Sequence, residues 1–400
     1  MPLRVLIAAG GTGGHIFPGI AVARELQRRD PEVAILFVGT ARGLETRVVP
    51  EEGFPLELID VAGLKRVGVT RALRSLAQLP RSLWQARALI RRFRPDAVIG
   101  VGGYASGPVM LWAVLSGLPT MVIEPNAYPG FTNRLLARWI RRAAIGFPEA
   151  ASYFHGKAVV TGNPVRPEFF HIAEQDRPGA RTGGAFHLLI VGGSQGAHAI
   201  NQAVIAVLPT LLEKYRQLTV THQTGERDWT WARLAYESIE GRERLHVRAF
   251  IDHMAEEVAR ADLIICRAGA MTVAELTAAG KPAILIPLPT AADDHQRKNA
   301  EALERQGAAR CLLQSELTPE RLMEEISEFL AHPHRLTTMA EASRRLARPD
   351  AARKIVDLVY ELVADGRHAA ANQEQPARPD ERWMANEKKA RNGQQLIADH

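Results

Sequence analysis

The chain has 400 residues, 46% of them hydrophobic and 24% charged, which allows two domains of roughly 150–200 residues with buried cores. Its formal net charge of +6 permits a polyanionic partner, but no nucleic-acid recognition motif or aromatic stacking pattern accompanies the charge, so we expect no nucleic-acid partner. The two cysteines, Cys266 and Cys311, are too few for a disulfide framework and lack metal spacing, which favours a reducing cytosol.

Two apolar segments have features of targeting or membrane signals. The N-terminal run enters a glycine loop at once and lacks the long apolar core of a signal peptide, so it is interpreted as a first strand. The segment 97–123 carries no charge and is long enough to cross a bilayer. Its glycines and prolines instead predict a strand, a glycine loop, a short helix and a second strand of a soluble α/β domain.

Short apolar runs alternate with helical patterns along most of the chain. This alternation predicts the α/β class with parallel, doubly wound sheets, and two separate glycine-rich openings predict two Rossmann-like domains facing each other across a cleft. Helices are expected at Gly19–Arg29, Asn201–Tyr215 and Thr272–Ala279. Strands are expected at Arg4–Ala9, Ala34–Gly39, Ala97–Val101 and Thr120–Ile123, then at His187–Val191, Leu218–Gln223, Leu245–Arg248, Leu263–Cys266 and Ala283–Pro287.

The first glycine loop, Gly10–His15, lies between a predicted strand and a predicted helix. Glycines let a ligand approach the backbone, and a helix N-terminus offers free N–H groups, so a phosphate or diphosphate is expected near Thr12, Gly13 and Gly14. The loop fits neither the dinucleotide fingerprint nor a P-loop. A tight strand–helix turn without a ligand is the alternative.

A basic stretch follows between residues 61 and 95, with nine basic residues, no acidic one and interleaved apolar residues. Such a stretch can lie on anionic lipid headgroups, and we therefore expect it to contact an anionic membrane surface. The alternative is a solvated, arginine-rich surface helix.

Two later glycine clusters repeat the pattern of the first loop. Gly102–Gly107 follows a strand of the first domain, and Gly192–Ala197 opens the second domain between a strand and a helix. Loops at the carboxyl ends of parallel strands lie along one edge of their sheet. If these edges of the two domains face each other, all three loops line one cleft, as we expect.

The domain boundary is expected near Gly162–Pro167, where glycine and prolines interrupt the pattern. This gives a first domain at 1–163, a second at 164–340 and a polar tail, expected to be disordered or loosely helical, at 366–400.

The segment from Arg267 to Glu275 runs from a strand into a helix and contains a T-x-x-E spacing. Thr272 and Glu275 either form a capping box, or Glu275 accepts hydrogen bonds from ribose hydroxyls. The polar segment 293–299 suits recognition of sugar hydroxyls, and solvated surface is its alternative.

Eight motifs occur in the order of a known family: GGTGGHIFPGIAVA, GGYASGP, EPNAYPGFTNR, TGNPVR, GGSQGAHAIN, FIDHM, CRAGAMTVAEL and DDHQRKNA. On these, the chain resembles the bacterial MurG family, the undecaprenyldiphospho-muramoylpentapeptide β-N-acetylglucosaminyltransferases of glycosyltransferase family 28, from about Val5 to Leu358. The resemblance implies the two-domain GT-B fold, with a C-terminal helix at about 341–364 that returns to the first domain.

The resemblance also implies a reaction and a location. N-acetylglucosamine would be transferred with inversion from UDP-N-acetylglucosamine to the muramoyl 4-hydroxyl of lipid I, giving lipid II for peptidoglycan synthesis. It implies no cofactor and no essential metal, and a peripheral enzyme on the cytoplasmic face of the cell membrane. A UDP-sugar epimerase or another UDP-sugar enzyme of the same fold is the alternative.

Site residues follow from matching positions in the family motifs. The resemblance implies donor and acceptor contacts at Thr12, Gly13 and Gly14, and the uracil pocket at Ile251 and Met254. It implies a sugar contact at Gln296, with His295 as the alternative. The remaining implied substrate contacts are Asn126, Arg166, Ser194, Ala270, Met271, Thr272 and Glu275.

The general base is expected to be His15, with Glu124 as the weaker candidate. Histidine titrates near neutral pH, which suits proton abstraction, but His15 could also serve only to order its loop.

Overall fold

The computed structural model describes residues 2–41, 43–61, 69–175, 186–193 and 196–374. These residues form one seven-stranded and one six-stranded sheet, each with parallel strand pairs and packed helices. The predicted α/β class with two Rossmann-like domains is therefore confirmed.

The first sheet has the strand order β3-β2-β1-β4-β5-β6-β7. Its central strands are continuous apolar runs buried on both faces, as parallel strands covered by helices must be. The order reverses between β1 and β4, and this switch point opens a crevice at the carboxyl ends of the strands. The strands are β1 Arg4–Ala9, β2 Ala34–Gly39, β3 Leu56–Leu58, β4 Ala97–Gly102, β5 Thr120–Glu124, β6 Arg142–Ile145 and β7 Ala158–Val160.

The helices that cover this sheet are α1 Gly13–Arg29, α2 Glu45–Glu51, α3 Val69–Phe93, α4 Ser106–Leu115 and α5 Phe131–Leu136. The predicted start of α1 at Gly19 is wrong, because the helix begins inside the glycine loop. The N–H groups of His15 and Ile16 bond to the carbonyl of Thr12 at 3.0 and 3.3 Å. Pro18 is accommodated within the helix and removes one intrahelical hydrogen bond.

The second sheet has the order β10-β9-β8-β11-β12-β13. Two of its helices begin earlier than predicted, at His198 and Ala270. The strands are β8 Phe186–Val191, β9 Leu218–Gln223, β10 Leu245–Arg248, β11 Leu263–Cys266, β12 Ala283–Leu285 and β13 Arg310–Cys311. The helices are α6 Pro167–Gln175, α7 His198–Lys214, α8 Trp229–Glu237, α9 Met254–Arg260, α10 Ala270–Ala279, α11 His295–Arg305, α12 Pro319–Ala331 and α13 Pro333–Arg345.

The last described helix, α14 (Ala351–Glu374), packs on the first domain. Its apolar face supplies Ile355, Val356 and Val359 to the core built around β1 and α1. The helix continues past the predicted end near residue 364 and includes residues 366–374, and residues 375–400 lie outside the described residues. At Gly366 the helix passes close to the first domain, where a Cβ would lie 2.6 Å from Pro119 Cγ.

The chain passes between the two sheets twice, near residue 162 and near residue 348. The two passages are in contact, and they approach so closely that a Cβ on Gly162 would clash with the side chain of Arg348. Gly162 has φ +79°, which favours glycine. Segment 97–123 forms β4, α4 and β5, as predicted, and none of the helices in the described residues has the length and apolarity to traverse a bilayer.

Candidate active site

The first glycine loop connects β1 to α1 at the carboxyl edge of the first sheet. Gly11 has φ +92°, a conformation that glycine adopts without strain. Thr12 is the exposed, extended N-cap residue of α1, and Gly13 and Gly14 form the first turn. His15 follows, half-buried, with its Nδ1 3.4 Å from Thr12 Oγ1. The start of the helix therefore presents backbone N–H groups and one histidine at the same place.

A buried carboxylate that the sequence analysis missed holds this loop in place. Glu45, at the start of α2, has no exposed surface. Its Oε2 accepts the N–H of Gly11 at 2.9 Å, and its Oε1 accepts both the N–H and the hydroxyl of Thr40 at 2.9 Å. A Cβ at Gly10 would lie 2.6 Å from Oε1, so the backbone closes tightly around the carboxylate.

The third glycine cluster packs directly against the first loop. A Cβ on Gly102 would lie 2.6 Å from Cδ2 of His15, and one on Gly103 would clash with the carbonyl of Gly10. Both glycines have positive φ, +119° and +80°. The two clusters are therefore in direct contact, and only glycine allows this approach.

His15 is neutral at physiological pH. Desolvation by burial, together with repulsion from His295 of the second domain, lowers its pKa to about 4. A hydrogen bond to the Gly10 backbone and the negative charge of Glu45 oppose the shift. The imidazole can thus accept a proton without first losing one.

Glu124 ends β5 and is fully occupied by hydrogen bonds. Its Oε1 accepts the N–H and the side-chain amide of Asn126 at 3.0 and 3.1 Å, and its Oε2 accepts from Gly130 and Asn133 at 2.8 and 2.9 Å. Burial raises its pKa, and these bonds oppose the shift. The carboxyl group therefore organises the loop after β5.

Asn299 of α11, the last residue of the polar segment 293–299, bridges the two domains. Its Oδ1 accepts the N–H of Ala127 at 2.8 Å, and its Nδ2 donates to Asn126 Oδ1 and to the Ala268 carbonyl at 3.1 Å each. Asn299 is completely buried. The loop after β5 therefore meets the second domain at this amide.

The second glycine loop lies between β8 and α7. Ser194, the predicted phosphate contact of this loop, lies outside the described residues. Gln223, at the end of β9, donates to the Gly193 carbonyl at 3.1 Å and accepts the N–H of Ile251 at 3.2 Å. Ile251 is buried, and Met254 begins α9 three residues later. Gln223 thus links the second glycine loop to Ile251, one of the two predicted uracil-pocket residues, and Met254 follows three residues later in the chain.

A buried polar network supports the same loop. His222 of β9 bonds through Nδ1 to the Tyr236 hydroxyl at 2.5 Å and through Nε2 to Asn201 Oδ1 at 3.0 Å. Asn201 donates in turn to the Thr224 carbonyl at 2.9 Å. Desolvation lowers the pKa of His222 to about 3, so it is neutral and structural.

Helix α10 carries the predicted contacts to the ribose and the diphosphate, and it brings Glu275 next to Arg166. Gly269 is the N-cap, and Ala270, Met271 and Thr272 form the first turn, so the capping-box alternative for Thr272 is wrong. Glu275 instead bonds to Arg166 at 3.2 Å. Burial raises the pKa of Glu275, and the Arg166 charge opposes this.

The loop before α11 carries the last predicted residues. Gln296 Oε1 accepts the Leu288 N–H at 3.0 Å, and His295 Nδ1 donates to the Ala292 carbonyl at 2.6 Å. Asp293 and Asp294 both have positive φ, +54° and +57°. Within the part of the chain that the structure describes, no cluster of three His, Cys, Asp or Glu could hold a metal ion.

These features define a class of protein. Two parallel-sheet domains carry glycine-rich segments at the carboxyl ends of their strands, and α11 joins the domains at a buried amide. This is the GT-B architecture of nucleotide-sugar enzymes.

Comparison with known proteins narrows the class. The glycosyltransferase family 28 N-terminal domain matches residues 5–145, and the C-terminal domain of that family matches residues 187–355. The chain belongs to glycosyltransferase family 28 and is a glycosyltransferase.

Individual proteins agree with this assignment. An Anaeromyxobacter protein, the UDP-N-acetylglucosamine–N-acetylmuramyl-(pentapeptide) pyrophosphoryl-undecaprenol N-acetylglucosamine transferase, is 50% identical over 94% of this chain and 97% of its own. The crystal structure of Acinetobacter baumannii MurG is 34% identical, covers 90% of this chain and 100% of its own, and superposes with a TM-score of 0.73. A UDP-GlcNAc 2-epimerase from Neisseria meningitidis, 14% identical with a TM-score of 0.64, covers 90% of this chain and 100% of its own and shares the fold alone.

Proposed function

We propose that this glycosyltransferase moves N-acetylglucosamine from UDP-N-acetylglucosamine to the muramoyl 4-hydroxyl of lipid I, with inversion, to form lipid II. The observation that carries the proposal is the 50% identity, over nearly the whole chain, to a relative named for this transfer. The epimerase alternative has only a shared fold at 14% identity in its favour. In this proposal residues 1–163 bind the acceptor and residues 164–340 bind the donor.

On the donor side, Glu275 binds the ribose, and Ile251 and Met254 form the uracil pocket. The connection of Ile251 to the second glycine loop through Gln223 supports a single nucleotide site there. Arg166 lies beside the nucleotide, and its positive charge opposes the rise that burial causes in the pKa of Glu275. The N-termini of α7 and α10 supply N–H groups and positive dipole ends that stabilise the departing diphosphate.

On the acceptor side, His15 acts as the general base. As the 4-hydroxyl oxygen attacks the anomeric carbon, its proton passes to the neutral imidazole, and the bond to the UDP oxygen breaks with its electron pair. The lowered pKa of His15 keeps it unprotonated before the reaction. Glu124 is less suited, because four hydrogen bonds occupy its two oxygens. The remaining contacts are Thr12, Gly13, Gly14 and Asn126 near the reacting groups, with Gln296 on the donor sugar.

The first domain rests on an anionic membrane surface through the stretch 61–95, at the cytoplasmic face. Residues 62–68 lie outside the described residues. On α3, Trp84 is 67% exposed, and on the neighbouring α4, Leu115 is 68% exposed, which supports an apolar contact. Two basic residues of the stretch are paired, Arg81 with Asp60 at 3.0 Å and Arg92 with Glu57 at 2.6 Å, so the positive charge is partly offset.

A turnover assay tests the proposal. UDP release should require both UDP-N-acetylglucosamine and a lipid I analogue, and should be much slower with other UDP-sugars. Epimerised UDP-sugar formed without acceptor would overturn it.

Sedimentation with liposomes tests the membrane contact. Binding should occur with anionic but not neutral vesicles, and a variant with Trp84→Ser and Leu115→Ser should bind less. Equal binding to both vesicle types, or no effect of the variant, would contradict this contact.

A further inference from the structure

The buried amide of Asn299 makes three hydrogen bonds at the junction of the domains. Its oxygen and one N–H engage the first domain at Ala127 and Asn126, and its other N–H engages the second domain at Ala268. A side-chain amide has one acceptor group and two N–H donors, so each has a partner. Such a satisfied buried polar group specifies one relative placement of the two segments.

The contact fixes the orientation of the Asn126 side chain. Its Oδ1 accepts from Asn299, and its Nδ2 donates to the Glu124 carboxylate. Turning the amide by 180° would place N–H against N–H at Asn299 and oxygen against carboxylate at Glu124. One lone pair and one N–H of Asn126 remain for a ligand, and their directions are set from both domains.

Asn299 also lies close in the chain to groups of the donor side. It follows Gln296 by three residues on α11, which places both on one helix face. Its partner Ala268 precedes the first turn of α10, where Ala270 begins the predicted diphosphate contact. A shift of the donor loops would therefore reach Asn126 through one rigid helix.

We propose that Asn299 is a positioning residue that holds Asn126 in its reactive orientation only while the two domains are docked. This role rests on the proposed function, in which Asn126 contacts the transferred sugar. It makes the acceptor-side geometry depend on the placement of the donor domain.

The chain offers a matched control for the test. Arg305, also on α11, pairs with Glu149 of the first domain at 2.9 Å, and both side chains are substantially exposed. Arg305→Ala therefore removes a contact between the domains without touching Asn126. If docking as such were what matters, this variant and Asn299→Ala would behave alike.

The first measurement is turnover of the full-length enzyme. For Asn299→Ala we expect kcat to fall roughly 10- to 100-fold, the scale of a reacting group displaced by about 1 Å, with KM for UDP-N-acetylglucosamine within about threefold. Arg305→Ala should stay within about twofold of wild type. Adding Asn299→Ala to Asn126→Ala should cost no more than about twofold further, because coupled residues are not additive. Equal losses in both backgrounds would overturn the positioning role.

The second measurement needs no substrate. Amide hydrogen exchange at Ala127, whose N–H bonds to Asn299, should quicken several-fold in Asn299→Ala and not in Arg305→Ala. If wild type fails to make lipid II but this exchange pattern holds, the proposed function is wrong and the contact between the domains stands. If the exchange rate at Ala127 is unchanged in Asn299→Ala, the contact between Asn299 and Ala127 is refuted, regardless of the turnover measured for this variant.

Discussion

Replacing Glu45 should both destabilise the protein and slow the reaction. The side chain has no exposed surface and accepts three hydrogen bonds, one from Gly11 and two from Thr40. In Glu45→Gln the amide oxygen can keep the two bonds to Thr40, but the amide nitrogen then faces the N–H of Gly11. Two donors then face each other, so the charge-assisted hydrogen bond from Gly11 is lost and its buried N–H has no acceptor.

The expected magnitude follows from these contacts. A hydrogen bond to a charged group contributes about 1.5–3 kcal/mol, so Glu45→Gln should lower the free energy of unfolding by about 2–4 kcal/mol. Glu45→Ala loses all three bonds and leaves a cavity, and should cost about 5 kcal/mol or more. Because Gly11 then loses its anchor, displacement of the loop by about 1 Å should also cut kcat roughly 100-fold.

Urea unfolding and UDP release measure the two effects. Glu51→Gln, on the same helix, is the control, since Glu51 is 64% exposed in a 3.9 Å ion pair and should matter by less than about 0.5 kcal/mol. If Glu45→Gln unfolds within about 0.5 kcal/mol of wild type and retains full turnover, the carboxylate does not hold the loop.

Three further predictions concern protonation. Because the pKa of His15 is lowered to about 4, kcat/KM should stay level as pH falls and decline only near pH 4; a decline centred near 6.5 would refute the desolvation of His15. The pKa of His222 is also lowered, to about 3, so the unfolded chain takes up the proton first below pH 6.5. Wild type should therefore lose about 2 kcal/mol of unfolding free energy between about pH 7 and 5 through this residue, and a His222→Gln variant with the wild-type slope would contradict it. Arg166→Ala should raise the pKa of Glu275 further, so UDP affinity measured by calorimetry should weaken increasingly as pH falls; a loss independent of pH would exclude this coupling.

The local parts of the site could be predicted from the sequence. Strand, glycine loop and helix are adjacent in the chain, so the patterns around Gly10 and Gly192 contain all that is needed to place those loops after β1 and β8. The proximity of the clusters at Gly10 and Gly102 followed from a general rule about parallel sheets.

The parts that depend on distant contacts could not be predicted in the same way. Glu45 lies 34 residues from its partner Gly11, and a single acidic residue in a short helix gives no recognisable signal. Thr272 and Glu275 have capping-box spacing, but α10 begins two residues earlier and Glu275 contacts Arg166, 109 residues away. The lack of acids in 61–95 likewise said nothing of Asp60, outside that window.

The return of α14 has a consequence for biosynthesis. Ile355, Val356 and Val359 complete the apolar core that Val5 and Ile7 begin. A ribosome making 5–20 residues per second needs roughly 10–40 s to proceed from residue 163 to residue 355. During that interval the apolar face that α14 will cover stays exposed on the first domain. A chaperone must shield this face, or it must remain exposed to water while the second domain is synthesised. The first domain is thus synthesised first, but its core is completed last.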